Sequence, residues 1–202
     1  MKRLGLTLAV CLASLAFAAR GFASCSPGFV YFGGHADYEY LADTDFAANP
    51  GDCPTTIWYY TLSSRGTDGI CGGFFPGVST YALFTQHAPS FNKVYQFAHL
   101  PNPGEAGYIN SNNWFPAFDY EAVGGGAYED TLQMKIWNQD TGTLIWSSDV
   151  IHGDVTNPCR IMSFLFSADL TGKNVRAEMV GRVYSAGFSW KVSGVHLARR
   201  FY

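Results

Sequence analysis

The feature that most constrains this chain is the alternation that begins at Asn174. Val175, Ala177 and Met179 point one way, while Asn174, Arg176 and Glu178 point the other. A period of two is that of a strand with one face buried and one face wet. The same pattern recurs at Leu132, Met134 and Ile136, at Met162, Phe164 and Phe166, and at Phe188, Trp190 and Val192. After Gly194 the apolar parity switches to Val195 and Leu197, which predicts a bulge. Asn138 to Gly142 lies between two apolar runs and reads as a hairpin turn. A second polar turn, Asp169 to Lys173, precedes the alternating strand at Asn174.

The first half carries shorter strand candidates at Ile57–Leu62, Tyr81–Thr85, Val94–Ala98 and Phe115–Ala122, separated by Gly, Pro and Asn. No run of helical period exceeds about ten residues. With 22 glycines and 16% aromatic residues, short strands joined by tight turns are the expected architecture. The predicted class is all-β, a two-sheet jelly-roll-like β-sandwich.

The basic start Met1-Lys2-Arg3, the apolar stretch from Leu4 to Ala19 and the small residues that follow read as a signal peptide over residues 1–24. Residues 25–202 then form one domain, secreted or at the cell surface (periplasmic or extracellular if the source is bacterial), and no later stretch is apolar enough to predict a transmembrane segment. Cys25, Cys53, Cys71 and Cys159 remain after cleavage, enough for two disulfide bonds with three connectivities. Phe22-Ala23-Ser24-Cys25 also resembles a lipoprotein box, so lipid anchoring at Cys25 is the competing expectation; it would leave one thiol unpaired. The spacing lacks a C-x-x-C pair and argues against zinc.

Charge is uneven along the chain. Fourteen acids and three bases lie between Cys25 and Cys159, against two acids and seven bases from Arg160 onward. Because those bases alternate within strands instead of forming one run, the expectation is no nucleic-acid partner.

The stretch "FSADLTGKNVRAEMVGRVYSAGFSWKVSGVHL", Phe166 to Leu197, resembles the closing strands of galactose-binding-like and MAM-like jelly-roll domains. "GVSTYALFTQ", from Gly77, is similar to an early strand of that group, and "EDTLQMKIWNQDTGTLIWSS", from Glu129, to its central hairpin. The resemblance covers about residues 53–198 and implies the same sandwich. Domains of this group often hold a structural calcium through an Asp two residues before the final valine of the last strand. This chain has Ser193 there, a hydroxyl in place of a carboxylate.

Candidate chemistry is sparse. The five histidines have no metal-ligand spacing, and no G-x-S-x-G elbow exists, so no catalytic residue is assigned. Asp119 with Glu121, and Glu129 with Asp130, are the acid pairs a small secreted hydrolase could use. Asp43, Asp45 and Asp52 crowd "DYEYLADTDFAANPGD" and are the candidate ligands for a structural Ca2+. The most suggestive stretch is "GYINSNNWFPAF". Its Tyr108, Trp114 and Phe115 among Asn110, Asn112 and Asn113 combine apolar platforms with amides that donate and accept, which is what a sugar requires. Trp58-Tyr59-Tyr60 is a second platform, and Trp137, Trp146 and Trp190 are assigned to the core. These readings predict a non-catalytic binding module that recognises carbohydrate or another surface ligand such as a protein. The alternatives are a self-associating structural subunit of an extracellular filament, coat or matrix, and the small hydrolase.

Overall fold

The computed structural model describes residues 28–32, 35–42, 46, 58–71, 80–85 and 91–201. The predicted signal peptide, Cys25 and Cys53 lie outside them. Strand follows strand: β1 Gly28–Phe32, β2 His35–Glu39, β3 Tyr59–Thr61, β4 Ser64–Gly66, β5 Tyr81–Phe84, β6 Asn92–His99 and β7 Asn113–Val123, then β8 Thr131–Asn138, β9 Leu144–Ser147, β10 Ile151–His152, β11 Cys159–Ser163, β12 Phe166–Ser167, β13 Asn174–Arg182 and β14 Ser189–Arg200. They form two antiparallel sheets of eight and six strands. In the larger sheet β14 pairs with β7 on one side and with β5 and β2 in succession on the other. β4 and β1 extend that side, while β11 and β12 extend β7. The smaller sheet runs β10-β8-β13-β6-β3, with β9 also on β8.

Alternation decides what lies between the sheets. Val175, Ala177 and Met179 of β13 are fully buried, as are Leu132, Met134 and Ile136 of β8. Opposite them lie Trp114, Phe118, Trp190, Val192, Val195 and Leu197 of β7 and β14. Each such side chain removed from water contributes about 1.5–3 kcal/mol.

The predicted bulge is real. Register between β14 and β7 slips between Ser193 and His196. Gly194 has φ 55°, and a Cβ there would fall 2.6 Å from Asp119 Oδ2, so the slip requires glycine both conformationally and sterically. It returns Val195 and Leu197 to the core side after Trp190 and Val192. At the β8–β9 hairpin the Asn138 amide donates to Thr143 O (2.8 Å), and its side-chain oxygen accepts from the Asp140 and Thr141 amides. Asp169 Oδ1 caps the other turn through the Thr171 amide (3.1 Å), and there the chain crosses from the larger sheet to the smaller.

Cys71 and Cys159 form a disulfide, with Cα atoms 5.7 Å apart and a sequence separation of 88. It ties the segment after β4 to edge strand β11, and the Cys71 amide also donates to Glu121 Oε2 of β7 (2.7 Å). Closing a loop of that length restricts the unfolded chain by roughly 4–5 kcal/mol in the chain-entropy picture. Such bonds are typical of oxidising compartments. No helix among the described residues is long and apolar enough to cross a membrane.

Candidate functional site

Of the six residues expected to form a sugar platform, Tyr108 and Asn110 meet, with the Tyr108 hydroxyl donating to Asn110 Oδ1 (3.4 Å), but the central Trp114 is not at the surface. Trp114 is fully buried: its indole N–H donates to Ala168 O (2.9 Å) and its ring packs against Tyr40 at 5.5 Å. The alternation of β7 explains this, because Trp114 has the parity of Phe118 and Tyr120, which face the core. Phe115 points to the opposite side of the strand, beneath the Arg200 guanidinium (4.4 Å). Tyr108 is half-buried with its ring 5.4 Å from Arg199. Asn110 and Asn112 are exposed and Asn113 half-buried, so the loop offers amides without an open aromatic face.

Asp43, Asp45 and Asp52 lie outside the described residues, and the structure says nothing of them. Among the described residues no group of three His, Cys, Asp or Glu side chains could hold a metal. Ser193 is buried and donates to Thr80 O (2.9 Å). Of the acid pairs, Asp130 is spent on backbone amides of Ala127, Tyr184 and Ser185, while Glu129 is exposed. Asp119 and Glu121 do share the outer face of the larger sheet. Glu121 is held by the Cys71 amide and lies 3.7 Å from Lys191. Burial pushes the Asp119 carboxyl up to about 6, against the opposing pull of His196.

A different surface assembles the features a ligand needs: the outer face of the six-stranded sheet. Tyr59 on β3 stacks on Tyr95 of β6, with centroids 5.2 Å apart and planes at 13°. Phe97 meets both rings edge-on at 5.6 and 5.5 Å. Tyr59 is 41% exposed and Phe97 44%. On β13, Arg176 lies between Tyr95 and Trp137 of β8, 5.8 and 5.4 Å from their centroids. A continuous strip of ring, ring, guanidinium and ring therefore crosses four adjacent strands, a span of about 14 Å. Of the second predicted platform, Tyr59 and Tyr60 are exposed but Trp58 is buried in the core.

Trp137 is not a core residue. Leu132, Met134 and Ile136 face inward, so Trp137 faces out with Gln133 and Lys135. That parity was available in the sequence; the size of the side chain outweighed it.

The strip ends in an open depression of about 350 Å³ lined by Phe97, His99, Gln139, Asp140 and Asn174, with Ala98 and Val175. Its polar groups are coupled. Asn174 Nδ2 donates to Asp140 Oδ1 (3.0 Å) and Asn174 Oδ1 faces His99 Nδ1 (3.0 Å), while His99 Nε2 lies 3.3 Å from Glu105. The hydrogen bond to Asn174, and then Glu105, hold His99 above the ordinary imidazole range. The backbone amide of Asn102, and then His99, hold Glu105 below the usual carboxylate range. A row of amide, imidazole and carboxylates beside the exposed Phe97 ring can donate to and accept from hydroxyl groups.

No family model matches the chain, and no curated protein does. Among solved structures it is similar to a Stig cyclase from Fischerella sp. TAU (TM-score 0.53, 10% identity, 88% of this chain and 100% of the cyclase). It is also similar to an arabinose-bound MgGH51 α-L-arabinofuranosidase, at TM-score 0.50 and 11% identity, over 87% of this chain and only 30% of that enzyme. TmCBM61 in complex with β-1,4-galactotriose aligns at TM-score 0.49 and 11% identity, over 72% of this chain and 89% of that module. At such identities the likeness is one of fold: two antiparallel sheets closed into a sandwich, on which unrelated chemistries sit.

Proposed function

We propose that the chain is a carbohydrate-binding module whose ligand lies across the outer face of the six-stranded sheet. The observation that carries this reading is the strip of Tyr59, Tyr95, Phe97 and Trp137 around Arg176, beside the His99–Asn174–Asp140 row. Sugar rings present apolar C–H faces and a rim of hydroxyls, and the strip answers the first while the row answers the second. The face lies on regular strands, which hold its side chains more rigidly than a loop would.

Calorimetric titration of soluble oligosaccharides, preceded by a glycan array, tests it. Trp137→Ala and Tyr59→Ala should each weaken binding roughly 5- to 12-fold, since a lost stacking partner is worth on the order of 1–1.5 kcal/mol. Trp114→Ala should instead lower the melting temperature. Undiminished binding in both face variants, in folded protein, would refute the assignment of this face.

A further inference from the structure

The same face carries a positive charge, against the acidic balance of the chain. The protein carries 16 acidic and 13 basic residues, so an arbitrary patch should be neutral or negative. Yet the outward positions of β6, β8 and β13 carry Lys93, Lys135, Arg176 and Arg182 against one carboxylate, Glu178. Alternating bases from different strands come together here for a geometric reason. Residues two apart on a strand share a face, and Arg176 and Arg182 are joined on it by lysines from both neighbouring strands.

Glu178 does not neutralise this group. It is buried, 3.3 Å from Arg176 and 3.9 Å from Lys93, and its single charge is shared between them. Arg182 has no acid beside it among the described residues; its guanidinium lies 3.9 Å from the centroid of Phe91, with Lys135 over the same ring at 5.9 Å. Arg176 Nε lies against Glu178, while the enclosed Nε–H of Arg182 and indole N–H of Trp137 find no acceptor among the described residues. The face therefore has a surplus of positive charge. The acids Glu105 and Asp140 stand apart at the depression, where His99 and Asn174 already engage them.

We infer that the ligand of this face is an acidic polysaccharide, one whose sugar rings carry carboxylate or sulfate groups. This rests on the glycan-binding reading above and names its substrate class. Rings of such a polymer lie on the aromatic strip while its anions reach the guanidinium and ammonium groups beside it, forming charge-assisted hydrogen bonds. The cations are spread along the face: Lys93 pairs with Val180 and Lys135 with Glu178, between Arg176 and Arg182, which lie six residues or about 20 Å apart on β13, so an extended polymer and not a single small anion would span them. Single-stranded nucleic acid also combines rings with anions. The Cys71–Cys159 disulfide favours an oxidising compartment and hence a glycan.

Two matched polymer pairs test this: polygalacturonate against its fully methyl-esterified form, and dextran sulfate against dextran. Binding is measured by affinity electrophoresis or calorimetry, with single-stranded DNA as a third arm. The charged member of at least one pair should bind about 10-fold or more tightly than its neutral partner, weakening steadily with salt. Arg182→Gln and Lys135→Gln should each cut that affinity about 3- to 10-fold. Arg160→Gln, on the other sheet, should leave it unchanged. Arg176→Gln is the less clean variant, because it also strips a partner from buried Glu178.

Equal, salt-insensitive binding within both pairs would overturn the acidic-ligand inference and leave the glycan reading standing. DNA binding as tight as the best acidic polymer would overturn it in favour of a general polyanion surface. No binding to any glycan in the pairs or on the array would remove both readings together.

Discussion

The two outer faces of this sandwich are built on the same alternation, yet they treat charge in opposite ways. On the eight-stranded sheet the charges are paired. Arg200 meets Asp37 through two contacts at 3.3 and 3.4 Å. Glu39 accepts from the Leu41 and Leu197 amides and from His196 Nδ1 at 3.0 Å. Lys191 lies between Asp68 and Glu121. Asp37 and Glu39 are buried at 0 and 4% exposure, so this face is an interior in electrostatic terms. On the six-stranded sheet four cations stand against one carboxylate, which meets only Arg176 and Lys93, and of the rings Tyr59 and Phe97 are exposed while Tyr95 and Trp137 are half-buried. Charge that is matched internally stabilises a fold or specifies its pairing, whereas charge left unmatched is available to a ligand.

The largest effect that would sharpen this contrast is on the paired face. Asp37→Ala leaves Arg200 half-enclosed without its counter-ion, and removing one partner of a buried pair costs about 3–5 kcal/mol. Denaturant unfolding should show that loss, while any glycan affinity, measured well below the new melting point, stays at its original value. A loss of affinity without loss of stability would mean that the larger sheet also contacts ligand.

On the open face the signs reverse. Trp137→Ala, which loses a half-exposed ring and not a core one, should cost about 1 kcal/mol or less in stability but roughly 5- to 12-fold in binding. If its stability cost approached that expected for Trp114→Ala, about 3–5 kcal/mol, Trp137 would belong functionally to the core.

That pair of tryptophans shows what could be read from the chain before its fold. Period-two runs at Leu132–Ile136, Val175–Met179 and Phe188–Val192 identify both sheets, and a single glycine announces the slip in β14. The same parity places Trp137 outward and Trp114 inward, but local composition argued the other way: asparagines around Trp114 suggested a wet loop, and indole size suggested a core for Trp137. The binding face itself lay beyond local reading. Tyr59, Phe97, Trp137 and Arg176 are neighbours only because β3, β6, β13 and β8 are adjacent, and that order is a property of the folded sheet. Neither a motif nor a spacing records it. The cations were missed for the same reason, since Lys93 and Lys135 come from the acidic part of the chain and the arginines from the basic part.

A smaller effect separates the faces by pH. Asp119 sits over Gly194 in the bulge, near His196, and burial raises its carboxyl to about 6. The folded state then holds that proton more tightly than the unfolded chain, so stability is greatest below the ordinary carboxylate value and falls as pH rises from about 4 to about 6. Asp119→Asn should flatten this window and add roughly 1–2 kcal/mol at neutral pH, less than the full shift would suggest because the carboxyl is only partly enclosed. An unchanged pH profile would show that the group is solvated.

The smallest effect falls on His99, at the edge of the open face. Its imidazole is held above the ordinary range by Asn174 and Glu105, so it remains a cation to higher pH than a free histidine. As pH rises through that titration the face loses one positive charge, and affinity for an acidic polymer should decline. The change should be modest, below about 3-fold, because the His99 side chain is 52% exposed and salt screens it within about 10 Å. His99→Gln should remove the pH dependence and leave the affinity near its high-pH value. Asp119 titrates as well, but it lies on the far sheet, across a core about 10 Å thick. Asp119→Asn should therefore leave the pH profile of binding untouched while altering that of stability. If instead Asp119→Asn shifted the binding profile, the two faces would be electrostatically coupled through the sandwich, and the division of labour between them would not hold.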